Sequence, residues 1–120
     1  MDEPNLQLEA LLKSLGRENG VIGGMVVNHA GESLASTLPA GMDPEVIGLF
    51  ALGSYMNCEH VIKKIGHDRV YHVVVQDEQG YILISDFGGG LLVLLADERA
   101  VVGFVPPLAA IAALIQAGGF

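Results

Sequence analysis

The sequence predicts an α+β fold in which a five-stranded antiparallel sheet lies between one long central helix and two terminal helices, in the order αββαβββα. The first observation behind this is succession. Stretches with helical periodicity and short runs of valine, leucine and isoleucine follow one another in that order along the 120 residues. The second is the links: all but one of the strand-to-strand connections are short and turn-like, as antiparallel hairpins require. The third is that the strands are apolar on both faces, so helices must cover both sides of the sheet. With three helices, one layer holds two, and the long helix is the natural lone cover.

Asn5 to Leu15 reads as an amphipathic helix. Leu8, Leu11, Leu12 and Leu15 follow the three-four spacing, Glu9 and Lys13 form an i,i+4 pair, and Gly16 closes it. Val21 to Asn28 (VIGGMVVN) is a strand, and Gly23 and Gly24 inside it predict close approach by a helix. Asn28 to Gly31 is a turn, and Glu32 to Thr37 returns as a shorter, more polar strand ended by Pro39 and Gly41. After the central helix come Val70 to Gln76, Tyr81 to Asp86 and Leu91 to Ala96 as strands, with turns at Asp77–Gly80, Gly88–Gly90 and Asp97–Glu98. Val101 to Val105 is a short extended link. A last helix starts at Pro107, with Leu108, Ile111, Leu114 and Ile115 on one side and alanines on the other.

Asp43 to Gly66 organises the rest. Asp43 is an N-cap, Pro44 suits the first helical position and Glu45 favours the positive end of the dipole. Lys63 and Lys64 sit in the last turn, and Gly66 can take the left-handed closing position. At ~100° per residue the helix shows two apolar stripes. The broad one holds Ile47, Phe50, Ala51, Cys58, Val61, Ile62 and Ile65 and is expected on the core. The second, Leu49, Leu52 and Met56, lies between charged residues on what should be the wet side. Gly48 and Gly53 cost helix stability but admit another backbone. Another segment of the same chain could cover this stripe, or it is scattered surface leucine; a second protein surface is the occupant favoured. The strand Val70 to Gln76, with four valines, one tyrosine and neither lysine nor proline, invites another strand if it lies at an edge. Dimerisation through Leu49, Leu52, Gly53, Met56, Tyr71, Val73 and Val75 would satisfy both.

Composition narrows the function. The chain reads as one domain over residues 1–120, 51% hydrophobic and only 17% charged, with a net charge of −8. Six basic residues in all argue against nucleic acid, which needs clustered lysine and arginine. Cys58 is the single cysteine, so neither an internal disulfide nor a thiolate metal framework is expected. The acidic start MDEPNLQLEA has no signal core, and the uncharged run from Ala100 is interrupted by Gly103, Pro106 and Pro107. A cytoplasmic protein without membrane insertion is the expectation.

Together, the leucine-rich first helix, GVIGGMVVNHAGESLAS (Gly20 to Ser36), LPAGMDPEVIG leading into the long helix, and YHVVVQDEQGYILISDFGGGLLVLLAD resemble the Roadblock/dynein light chain family. The likeness covers nearly the whole chain in order and rests on that succession. It implies a profilin-like fold and homodimers whose long helices pair and whose sheets join edge to edge. It also implies binding of small Ras-like GTPases. Bacterial relatives include a GTPase activator of cell polarity in gliding bacteria; eukaryotic relatives serve as dynein light chains or lysosomal scaffolds.

Chemistry is sparse. The sequence has no Gly-x-x-x-x-Gly-Lys-Ser/Thr loop, and Gly88-Gly89-Gly90 precedes a strand where a phosphate site wants a helix N-terminus. Gly31-Glu32-Ser33-Leu34-Ala35 ends in alanine and is no nucleophile elbow. His60, His67 and His72 do not form a zinc set. Arg17, Arg69 and Arg99 lie off the helix platform, so no arginine finger is expected there. The predicted function is a non-catalytic, cofactor-free homodimeric regulator or scaffold for a small GTPase. The alternatives are a small-ligand sensor, which requires an apolar cavity with convergent polar groups, and a purely structural light-chain-type adaptor. Leu52→Asp together with Met56→Lys is predicted to leave the fold intact and give monomers, which light scattering checks.

Overall fold

The computed structural model describes residues 3–97 and 108–118. Its elements are α1 (Glu3–Asn19), β1 (Val21–Asn28), β2 (Ser33–Ser36), α2 (Pro44–Lys64), β3 (His72–Gln76), β4 (Gly80–Asp86), β5 (Gly90–Asp97) and α3 (Leu108–Gly118). The five strands form one antiparallel sheet in the order β2-β1-β5-β4-β3. β2 and β3 are therefore the two edges. The predicted link at 101–105, the turn residue Glu98, the helix start at Pro107 and Arg99 lie outside the described residues.

Two apolar clusters sandwich the sheet. On one face Leu8, Leu12 and Leu15 of α1 and Ile111 and Ile115 of α3 pack on Val26, Leu83, Leu92 and Leu94. On the other, Ala51 and Tyr55 of α2 pack on Met25, Val27, Ile84, Leu91 and Val93. Among the described residues the long helix is thus the lone helix on that face, as expected. β5 is paired on both sides and buried from Gly90 to Ala96, which explains its unbroken apolar run. No helix among the described residues is long and apolar enough to cross a membrane.

Local signals place the boundaries. Asp43 accepts a hydrogen bond from the Glu45 backbone N–H at 3.0 Å, with Pro44 in the first turn. At the other end Gly66 has φ +87°, its N–H donates to the Lys63 carbonyl and that of His67 to Ile62. In the β1–β2 turn the Asn28 side-chain oxygen accepts from the backbone N–H groups of Ala30 and Glu32. Gly31 there takes φ +87°.

Some expectations are corrected. The first helix does not stop at Gly16 but runs to Asn19, and Gly20 at φ +72° follows it. An interior glycine costs a helix about 1 kcal/mol, and the buried Leu12 and Leu15 hold the helix to the core just before it. The third strand starts at His72, because Val70 and Tyr71 belong to the approach from α2. Asp97, expected in a turn, is part of β5.

Gly23 and Gly24 do mark close approaches, though α1 makes only part of one. A Cβ on Gly23 would stand 2.8 Å from the Thr37 carbonyl oxygen and 3.2 Å from the Leu38 Cα, because the segment after β2 crosses directly over it. A Cβ on Gly24 would meet a Leu94 methyl at 2.8 Å and Leu12 of α1 at 3.4 Å. Backbone yields less readily than side-chain tips. Gly23→Ala is therefore expected to destabilise the protein by about 1–3 kcal/mol, the range for overpacking, as measured by urea unfolding.

Candidate functional site

The rotation of α2 about its own axis decides what the protein shows to others. Its buried residues are Gly48, Ala51 and Tyr55. At ~100° per residue, that face is turned about 70° from the broad stripe expected to be buried. The reason is distance of approach. A Cβ on Gly48 would lie 2.9 Å from a Val27 methyl and 3.4 Å from the Met25 terminal methyl, so the helix sits closer to β1 than any larger residue would permit. Small residues face the sheet, and the bulky ones turn out.

Phe50, Val61 and Ile65, expected in the core, are 42%, 57% and 60% exposed. Cys58, Ile47 and Ile62 are half-buried. On the outward side Leu49 and Met56 are 56% and 57% exposed, as expected of the second stripe, and Val46 joins them at 60%. Gly53 lies among them with nothing among the described residues within 4 Å of where a Cβ would be. Leu52 is placed differently from its two companions: it is half-buried and packs on the inner cluster. Leu52→Asp would thus set a charge against the protein's own core, and Leu49 with Met56 is the pair that probes the surface alone. Leu49 and Leu52 lean towards Gly31 in the β1–β2 turn, on the side of α2 away from β3.

The other expected interface element, β3, is an edge, and no strand among the described residues pairs with its outer flank. Val74 and Val75 are exposed on opposite faces of it, and Tyr71 just before it is exposed under the Arg69 guanidinium, 5.6 Å above the ring. Val73 turns inward on the α2 cluster. The structure therefore brings Tyr71, Val73 and Val75 together along one edge, and leaves Leu49, Gly53 and Met56 on a separate helical surface.

Tyr55, which lies outside both apolar stripes of α2, ties the two together. Its hydroxyl donates to the Val70 carbonyl at 2.6 Å, with the Asp86 carboxylate 3.3 Å away as another acceptor. α2 is thereby fastened to the start of β3 and the end of β4. Burial, and next the charge of Asp86, push the Tyr55 pKa up to about 12. A tyrosine three residues below a half-buried leucine in a helix is a signal that could have been read, had small residues been allowed to define the buried face. A second polar contact joins the edge strand to β4: His72 Nδ1 lies 2.7 Å from the Ser85 hydroxyl oxygen, and Ser85 is fully buried.

Concave surface is present as open grooves. One of about 540 Å³ runs between Cys58 and Ile62 of α2 and residues 69–74. Another of about 390 Å³ lies at the far end of the sheet, lined by Ile22, Met42, Val75, Ile82 and Leu95, with Asp77 and Asp97 at its rim. Arg69, Tyr71 and His72 on the first groove are exposed, unlike the buried convergent polar groups a small-ligand sensor needs. Among the described residues no group of three or more His, Cys, Asp or Glu could hold a metal ion.

No family model matches the chain. An uncharacterised protein of Methanocaldococcus jannaschii, MJ0714, is 33% identical over 98 residues, covering 82% of this chain and 83% of the relative. Among solved structures, the gliding protein MglB of Thermus thermophilus is similar with a TM-score of 0.82 at 22% identity, over 98% of this chain and 94% of that one. A Roadblock/LC7 domain of Streptomyces avermitilis gives 0.69 at 20% identity over 91% and 92%. Acanthamoeba castellanii profilin II gives 0.53 at 15% identity over 97% and 98%, which bears out the profilin-like fold.

Tyr55→Phe is expected to cost about 1–2 kcal/mol by loss of the hydroxyl bond. The folded-state pKa is raised, so the neutral hydroxyl's contribution is full below pH 10 and is lost as pH rises from 10 towards 12. The stability difference between the natural protein and Tyr55→Phe should shrink across that window in urea titrations.

Proposed function

The chain belongs to one family with the archaeal protein MJ0714 and carries a Roadblock-type domain; on that premise we propose that it is a homodimeric regulator or scaffold that binds a small Ras-like GTPase. The observation that carries the reading is the outward face of α2. Val46, Leu49, Phe50 and Met56 are all more than 40% exposed around the open Gly53. A contiguous apolar surface of this kind marks a protein-interaction site, and a helical glycine without neighbours lets a partner's backbone come within contact of the axis.

Two kinds of contact divide the expected interface. Tyr71, Val73 and Val75 along β3 join one copy to another, edge to edge, and the two α2 helices come side by side. Leu49, Gly53 and Met56, held up by the half-buried Leu52, then form a paired platform for the GTPase. Each large apolar side chain buried in full contributes roughly 1.5–3 kcal/mol. Several per copy, doubled by symmetry, offset an association cost of about 4–15 kcal/mol.

The domain acts without chemistry of its own. Arg69, an arginine within reach of α2, stacks on Tyr71 beside the edge strand and is not on the platform. Any effect on hydrolysis therefore comes from repositioning groups that the GTPase supplies. The expected location is the cytoplasm, where such GTPases work.

The test is to mix the protein with each small GTPase of its own genome, loaded with GDP or a GTP analogue, and to measure binding by calorimetry and hydrolysis by phosphate release. At least one is expected to bind, and Leu49→Asp with Met56→Lys should weaken that binding at least 100-fold while circular dichroism stays unchanged. Failure of every GTPase in both nucleotide states removes the proposal.

A further inference from the structure

The β1–β2 turn and the first two turns of α2 form one continuous surface. A Cβ on Gly31 would stand 3.1 Å from a Leu49 methyl, and the Gly31 carbonyl oxygen lies 3.5 Å from where a Cβ on Gly48 would be. Glu32 of the turn is exposed, and so are Asp43, Glu45, Val46 and Leu49 at the start of the helix. Glu45 precedes Leu49 by four residues and shares its side of the helix. Glu32 follows Gly31 directly, so carboxylates border the apolar end of the α2 face on the helix and on the turn.

The charge of this surface is of one sign. From Glu18 to Ile62 the chain has five carboxylates and neither lysine nor arginine. Asp43 accepts from a backbone N–H and Glu32 from the Asn28 amide, both neutral donors that leave the charge in place. Lys13 and Arg17 belong to α1, on the other face of the sheet. Lys63 and Lys64 lie at the opposite end of α2, and the ~20 residues from Asp43 to Lys63 span about 30 Å. The Debye length at physiological salt is about 8 Å, so no described cation neutralises the acidic end. The helix dipole supplies only about half a positive charge there, against the carboxylates of Glu32, Asp43 and Glu45.

We propose that the GTPase docks on this acidic end of α2 and on the β1–β2 turn, through an apolar patch bordered by arginine or lysine side chains. The apolar centre supplies the burial, and the carboxylates around it steer and orient a positively charged surface. Phosphate oxygens of a bound nucleotide are repelled at this end, so the contact is made by the partner's protein surface. The inference rests on the GTPase reading above. It goes beyond that reading by fixing which end of the platform binds and the chemistry of the side that meets it.

The experiment takes a GTPase that binds in the screen above and measures association rate and affinity in about 50 and 500 mM salt, at about pH 8 to keep histidine neutral. Glu32→Lys with Glu45→Lys is expected to slow association and weaken binding about 30-fold at low salt, and by about twofold at high salt, where screening removes the steering. Glu32→Gln with Glu45→Gln can keep the Asn28 contact and tests the same charges if the lysine variant fails to fold; about fivefold weakening at low salt is expected. Glu9→Lys with Glu78→Lys makes the same change in net charge on α1 and on the β3–β4 turn, and is expected to bind within about twofold of the natural protein. Binding that is lost in Leu49→Asp with Met56→Lys, yet unchanged by salt and by the Glu32 and Glu45 variants, overturns the charged footprint and leaves GTPase binding standing. An equal loss in the Glu9 and Glu78 variant also overturns the footprint, because net charge alone then acts. Failure of every GTPase to bind overturns both.

Discussion

The contact that governs this molecule is the close seating of α2 on β1 at Gly48 and Ala51. A helix presents one face to a sheet, and the side chains on that face set how near it can come. Here the nearest residues are a glycine and an alanine, and the Tyr55 hydroxyl fixes the third point against Val70. Once the helix is seated, its rotation is settled, and the positions of Phe50, Val61 and Ile65 follow without further choice.

What α2 shows to solvent follows from that rotation. With small residues inward, leucine, valine, methionine and phenylalanine face water on α2.

Much of this fold was legible because its signals are local. Asp43 and Pro44 open α2, Gly66 closes it, and glycine and Asx turns separate the strands, so element order and most boundaries could be read off one residue at a time. The edge position of β3 was legible from its valines only as a condition, since strand order is a long-range property. The seating of α2 was not legible, because summed hydrophobicity favours the side with the most large residues, whereas steric approach favours the side with the fewest atoms. Leu52 shows the cost of that: the same stripe that placed Leu49 and Met56 outside placed Leu52 with them, yet the rotation of about 70° brings it half under.

The middle of the sheet is the last of its described strands. β5 pairs with β4 on one side and with β1 on the other, where Val21 meets Ala96. Contacts so far apart along a chain are closed late and slowly during folding. While the polypeptide emerges from a ribosome, β1 and β4 have no common neighbour until β5 is out, and the underside of α2 has only half a sheet to rest on. Nascent chains of this protein should therefore be clients for chaperones until β5 has emerged, and fragments ending before β5 should fail to fold.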